Sequence, residues 1–425
     1  MSSTPITPQP NVTELEISFG FWAVIVLTGA GAGLAGGLLM RLLRVVQHLS
    51  YSYPSGDFLH GVERVSGQHR VIVMVLAGLV AASVLYAMKR FGIESGGSLP
   101  DAVWKRSGKM PTAATLIRSF LSIITVGMGV ALGREGALKD TGGVVANKLS
   151  DWFGMTPAQR RLLVACGAGA GMAAAYNVPL GGALFAAEVL LGSLSLATVL
   201  PAFVASFTGV AVSWLLLPNK PAYVVPVLQV SHSLILWSVL AGPLIGFLSI
   251  GYVRGIGWAQ THKPKGWQVI VLPLVIFTAL GLAAIKFPQL LGNGKNIVQL
   301  TFFNQIGVGL LCWLIVLRPL ATLLCLRSGA PGGLFTPTMT LGAMVGDGMG
   351  RLWNHVAAGN EVASYALIGS AAFLAAATLG PLSSAVFLLE LTRHADPLMV
   401  PLLIATAGAT VTARRYTVHS IYSIE

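Results

Sequence analysis

Three short glycine-rich segments hold the residues whose types and spacing best suit chemistry. The most polar is Gly133-Arg134-Glu135-Gly136-Ala137, directly after the apolar run 114–132. Ionisable side chains at membrane depth are costly and usually mark function. Arg134 and Glu135 are neighbours, and adjacent helical residues point about 100° apart. Each must therefore find its own surroundings. Lys139 and Asp140 follow, which puts four charges into seven residues and requires a polar cavity. The second segment is Ser328-Gly329-Ala330-Pro331-Gly332-Gly333-Leu334-Phe335-Thr336-Pro337. The N–H groups of Leu334 and Phe335 would sit at the positive end of a helix, an anion site without a basic side chain. The third runs from Glu94 to Asp101 and contains Gly96-Gly97-Ser98-Leu99-Pro100. Pro100 fits the first turn of a helix. Ser98 would cap that helix or offer its hydroxyl to an anion. Read alone, this loop is an ordinary turn as readily as a site.

Together the three segments describe a site made from inward-pointing helix N-termini. Such ends bind an anion weakly enough to release it, as conduction requires. Glu135 fits this picture independently. Burial disfavours its charge and helix N-termini favour it, so the carboxyl can change state and move.

The elements that position these segments follow from composition. Hydrophobic residues make up 54% of the 425, and charged residues only 10%, against roughly 25% in soluble proteins. Fifty glycines and 22 prolines interrupt the apolar runs. A disordered chain, a coiled coil, a disulfide scaffold and a soluble enzyme are thereby disfavoured, leaving an all-α polytopic membrane protein. Several apolar runs, such as 178–191 and 381–392, are too short for the ~20 residues of a full crossing. They suggest helices that enter the bilayer and stop inside protein.

The stretch 172–188 (MAAAYNVPLGGALFAAE) matches 374–390 (LAAATLGPLSSAVFLLE) at an offset of 202 residues, with eight of 17 positions identical. A duplicated domain is expected. Its parts are a polar tail at 1–18, one repeat at 19–220, a second at 221–413 and a short pore-lining cytoplasmic segment at 414–425. Many transporters pair such halves in inverted topology, with the site at the interface.

The formal charge of +12 fits loops facing anionic lipid, and secondarily an anion pathway. Scattered basic residues argue against nucleic acid. Lys89, Arg90, Lys105, Arg106 and Lys109, with the pairs Arg160-Arg161 and Arg414-Arg415, mark the cytoplasmic side. Arg41, Arg44, Arg64 and Arg70 do not obey that rule. Cys166, Cys312 and Cys325 read as buried hydrophobes. The N-terminus has no signal peptide by the usual criteria.

With these motifs in hand, the sequence resembles the CLC family of chloride channels and chloride/proton antiporters. The resemblance rests on GGSLP (96–100), GREGA (133–137), AAAYNVPLGGALFAAE (173–188) and SGAPGGLFTP (328–337), and extends over about residues 20–425. It implies two inverted halves with partial helices meeting at the ion. It also implies a homodimer in the lipid bilayer, each subunit carrying its own pathway for chloride or a similar anion. By motif match Glu135 is the gate. Backbone around Arg134, Glu135 and Gly136 would line the outer anion site, and Leu334 and Phe335 the central one. Tyr422, in the looser match SIYSIE, would complete the central site with its hydroxyl.

Several positions depart from the family pattern. Aligned on Pro100, Gly97 replaces the anion-coordinating serine, and Ser98 falls one residue late. The inner proton acceptor of coupled members aligns with Val189. Glu188, one residue earlier, is a candidate proton relay, although its match with Glu390 suggests a structural role shared by the repeat. Ala137 replaces the usual proline. Lys139 is unusual so near the site, and would pair with a carboxylate or raise local anion affinity. A secondary transporter of a small organic anion is the alternative function. An intramembrane enzyme is disfavoured, because no Ser/His or HExxH arrangement occurs. No metal or organic cofactor is implied; the transported halide is the only small ligand expected.

Overall fold

The computed structural model describes residues 18–52, 57–93, 98–357, 359–417 and 419–423. Gly97 and all of the expected tail except Ser18 lie outside these residues. The described residues form seventeen α-helices and no strand. The first nine are α1 (Phe19–Tyr51), α2 (Phe58–Arg64), α3 (Gly67–Arg90), α4 (Leu99–Lys105), α5 (Thr112–Gly127), α6 (Glu135–Trp152), α7 (Pro157–Tyr176), α8 (Pro179–Leu184) and α9 (Leu196–Ser213). A π-helical segment, Phe185–Leu190, prolongs α8. After a connection at 214–231 come α10 (His232–Thr261), α11 (Gln268–Lys286), α12 (Lys295–Phe302), α13 (Val308–Arg327), α14 (Phe335–Asn354), α15 (Val362–Thr378), α16 (Pro381–Thr392) and α17 (Met399–Tyr416). Residue 220, where the first repeat was expected to end, lies in that connection. The expected boundary at 413 falls inside α17, because the helix carries its basic pair Arg414-Arg415 in its last turn.

Seven helices among the described residues are long and apolar enough to cross a bilayer: α1, α3, α9, α10, α11, α13 and the segment Asp396–Tyr416. The shorter apolar helices are Thr112–Gly127, Pro179–Leu190, Val362–Thr378 and Pro381–Thr392. Local chemistry sets their ends. Thr156 and Gln159 form a reciprocal capping box at the start of α7, and Ser18 and Ser231 cap α1 and α10 through their hydroxyls. Pro179 and Pro381 open α8 and α16, where a missing N–H costs nothing.

Small residues set the packing. A Cβ on Gly29 of α1 would come within 2.9 Å of the Ala205 Cα on α9, so only glycine admits that approach. The second half repeats the seam: a Cβ on Gly246 of α10 would come equally close to the Ala409 Cα on α17. The two most interior staves, α7 and α15, are buried at every residue from Arg161 to Tyr176 and from Ala363 to Thr378. A helix that is apolar all round belongs in the interior.

The outer flanks of α10, α11 and α13 instead expose bulky apolar side chains, among them Leu244, Phe247, Val275, Leu282, Trp313 and Val316. These flanks face lipid. Cys312 shares the exposed flank of α13, whereas Cys166 and Cys325 are buried. The expectation that all three are buried is corrected: an apolar run on a lipid-facing helix exposes half its residues. The basic residues that break the charge rule also find reasons. Arg70 is buried and donates to the carbonyls of Val62, Ala284, Glu63 and Val65 at 2.8–3.2 Å. Arg44 lines a cavity described below.

Candidate anion pathway

Two of the motif loops meet at the centre of the protein. Gly133 and Gly333 exchange both backbone hydrogen bonds, at 2.7 and 2.6 Å. The pair brings the starts of α6 and α14 together. Helix geometry leaves the first N–H groups of α14 without intrahelical acceptors, since the Thr338 N–H is the first to reach back, to Leu334 O at 3.0 Å.

The Glu135 carboxylate fills this junction and is fully buried. Its Oε1 accepts from the Thr336 N–H at 3.2 Å. Its Oε2 lies 3.0 Å from both the Tyr176 and the Thr336 hydroxyls. Those hydroxyls are 2.6 Å apart. Three oxygens thus share two hydroxyl protons, a tight and exchangeable set. Glycine leaves room for the carboxylate in this position, because a Cβ on Gly133 or Gly333 would overlap it. The backbone donor to this carboxylate is Thr336, which directly follows Leu334 and Phe335. Leu334 and Phe335 are both buried, and the Phe335 ring packs 4.4 Å from that of Phe387.

Tyr176 and Thr336 were not singled out from sequence. Both stand inside quoted motifs, in AAAYNVP and GGLFTP, and for Thr336 a hydroxyl in the first turn of a helix was the available signal. Tyr176 owes its place to the end of α7, where Asn177 adopts the left-handed region (φ 59°) and stops the helix.

A cavity of about 440 Å³ lies on one side of Glu135. Arg44, His48, Arg134, Lys220 and Lys295 line it, with Asp57 as the acidic residue of the wall. The Arg134 guanidinium sits 4.9 Å over the Tyr176 ring. Arg134 thus lines the cavity while Glu135 fills the junction, and both reach Tyr176, one at its ring and the other at its hydroxyl. Burial, with Arg134 and Arg44 nearby, pushes the Lys295 ammonium down to about 8, against the opposing pull of Asp57.

A second cavity of about 260 Å³ opens on the other side, next to the basic segment 98–118 and Lys263. We call it inner, following the loop charges. Ser98, Gly136, Ala137, Lys139, Asp140 and Gly332 are among its walls. Gly136 lines the inner cavity and also abuts the junction, where a Cβ on it would come within 2.8 Å of Gly333 N. The Ser98 hydroxyl caps α4, accepting from Asp101 N–H at 3.3 Å. Tyr422 is buried, its ring 5.6 Å edge-on to Phe185 and 5.2 Å below the Lys139 ammonium.

Glu188 has a different setting. Its oxygens accept from the Leu382 and Ser383 N–H groups at 3.1 and 2.7 Å. Glu390 does the same for Leu180 and Gly181, also at 3.1 and 2.7 Å. Each carboxylate completes the helix start in the other half, which satisfies two orphan donors and opposes the helix dipole. The bonds tie α8 to α16. Val189 is buried and apolar.

The protein family described as voltage gated chloride channel matches residues 81–414. A voltage-gated ClC-type chloride channel, ClcB, of Salmonella typhimurium is 30% identical over 415 residues, covering 94% of this chain and 97% of its own length. The protein of the same description from Escherichia coli O139:H28 is 31% identical with the same coverage. The solved structure of a slow cyanobacterial Cl⁻/H⁺ antiporter superposes with a TM-score of 0.83 at 22% identity, over 95% of this chain and 96% of that one. A CLC-type fluoride/proton antiporter gives 0.78 at 20% identity, over 95% and 97%. The chain is an integral, multi-pass membrane protein and belongs to the voltage-gated chloride channel family.

Proposed function

We propose that this chain moves chloride or a similar small monovalent anion across its membrane, with the Glu135 side chain as the gate. The observation that carries the reading is the position of that carboxylate. It is a negative group seated on the α14 start, between two cavities with basic walls. A site that holds one small anion in this way suits another. When Glu135 leaves, the Thr336 N–H and the Thr336 and Tyr176 hydroxyls remain as donors for a halide. Arg134 and Lys295 raise the anion concentration at the outer mouth, and the α14 dipole stabilises the ion once inside.

The experiment is chloride efflux from liposomes holding the purified protein, with external chloride and pH recorded together. Chloride movement without protons identifies a passive pathway. Protons driven uphill in fixed ratio identify an exchanger, whose proton route must avoid Val189. Absence of chloride flux in either form overturns the proposal, and uptake of a small organic anion in preference to chloride selects the alternative. The family's homodimer is part of the proposal. Exposed apolar residues beside the Glu188–Glu390 ties, Leu180, Leu382, Leu196 and Leu200, offer a contact face. Light scattering of the detergent-solubilised protein reads one copy or two.

Lys295 gives the outer mouth a pH dependence. Its ammonium is charged below about 8 and neutral above it. Rising external pH therefore removes one positive charge from the outer wall. With a unit charge worth roughly 1 kcal/mol at short range in water, inward chloride flux falls about fivefold between pH 7 and 9. Lys295→Gln makes the flux low and flat over that range. Measuring both in a Glu135→Ala background separates the effect from the gate. A wild-type slope retained in Lys295→Gln would assign the effect to another group.

A further inference from the structure

Lys139 has no role in the gate described above, yet it is the ammonium embedded deepest beside the pathway. It lies one helical turn from Glu135 on α6, so the two share a face. Glu135 closes the outer side of the junction, and Lys139 lines the inner cavity with Ser98, Ala137 and Gly332. Its side chain is only 8% exposed. A lysine buried at membrane depth requires compensation. Two neighbours contribute to it. The ammonium sits 5.2 Å from the centre of the Tyr422 ring, whose orientation Phe185 fixes. Asp140 Oδ1 is 3.4 Å away, longer than the 2.7–2.9 Å of a tight charged pair. The Asp140 side chain is 32% exposed overall, although the Oδ1 that approaches Lys139 is itself buried. The positive charge of Lys139 is the better insulated of the two, and it faces the route an anion must take.

We propose that Lys139 is the residue that draws small anions into the inner mouth and sets their affinity there, while Asp140 keeps that affinity low enough for release. The inference rests on the anion-transport reading and adds a specificity-setting residue to it. An ammonium held by an aromatic face and a loosely paired carboxylate attracts a halide without clamping it. The full charge of an unopposed lysine would hold the ion too long. The arrangement also places the attraction on one side of the gate only, so it acts on anions arriving from the inner solution.

The test uses the full-length protein with Lys139→Met and Asp140→Asn. Chloride binding to detergent-solubilised protein is measured by calorimetry. Efflux from liposomes is measured with chloride varied on each side separately, in the Glu135→Ala background. Lys139→Met weakens chloride binding about five- to tenfold and raises the inner chloride concentration for half-maximal flux by a similar factor. The outer dependence moves less than twofold. Asp140→Asn shifts both in the opposite sense, tighter and slower. Lys139→Arg, which keeps the charge, stays within about twofold of wild type. Thermal unfolding separates these effects from loss of fold. If Lys139→Met lowers the melting temperature and leaves anion affinity unchanged, the lysine is a structural ion-pair member and the proposal fails. In the protein that keeps Glu135, loss of proton movement on Lys139→Met with anion dependence intact would make it a proton station, and the proposal also fails. Should Lys139→Met not fold, Asp140→Asn alone decides: unchanged affinity there overturns the proposal. Absence of flux and of chloride binding in the wild type would sink the transport reading itself, a separate result.

Discussion

Glu135→Ala raises chloride efflux at neutral pH about tenfold. On the proposed gating role, an anion in the wild type must displace a carboxylate held by the Thr336 N–H and by the Tyr176 and Thr336 hydroxyls. Hydrogen bonds to a charged group are worth ~1.5–3 kcal/mol each. The incoming ion recovers most of that, because it takes the same donors. A residual barrier of ~1.4 kcal/mol is enough for a tenfold rate difference. Alanine has no carboxylate and no reach into the junction, so its flux is high. The measurement is efflux at neutral pH for both proteins in matched liposomes. A Glu135→Ala protein no faster than the wild type would remove Glu135 from the gate.

Much of this site was legible in the sequence, for identifiable reasons. Charges within an apolar context are rare enough that GREGA drew attention alone. Glycines before a helix start implied an exposed N-terminus, and α14 has one. The 202-residue repeat located Glu188 and Glu390, whose reciprocal bonds then became a matter of geometry. Other features were hidden because they depend on contacts distant in the chain. The pairing of Gly133 with Gly333 joins residues 200 apart. Tyr176 and Thr336 meet across 160 residues, and no local pattern announces that two hydroxyls will face one carboxylate. Cys312 was misplaced because hydropathy cannot distinguish a core-facing from a lipid-facing side. The π-helical turn at Phe185–Leu190 also escaped notice. Such a segment turns less per residue than an α-helix does, so the neighbours Glu188 and Val189 are less than about 100° apart around the axis.

Adding Gly333→Ala to Glu135→Ala lowers chloride flux at least tenfold below that of Glu135→Ala alone. The argument concerns what the junction is for. A gate alone would need only to be removed, and filling the vacated space would then do little. An anion station must stay empty and lined by donors. The added methyl at 333 would occupy the volume that the Glu135 carboxylate takes in the wild type. Gly333 does not adopt the left-handed region, so alanine is admissible to the backbone there. The methyl group offers no hydrogen bond, and it holds a halide off the Thr336 N–H and the two hydroxyls. Loss of even one such contact to a buried ion costs ~1.4 kcal/mol or more, a factor of ten. Gly251→Ala, on α10 with open space around the position, leaves the Glu135→Ala flux unchanged and controls for adding a methyl to the protein. Thermal unfolding of the double variant close to that of Glu135→Ala confirms that the junction still forms. If the double variant is as fast as the single one, anions pass Glu135 without stopping at its site. The donors around Thr336 then serve only to hold the gate closed.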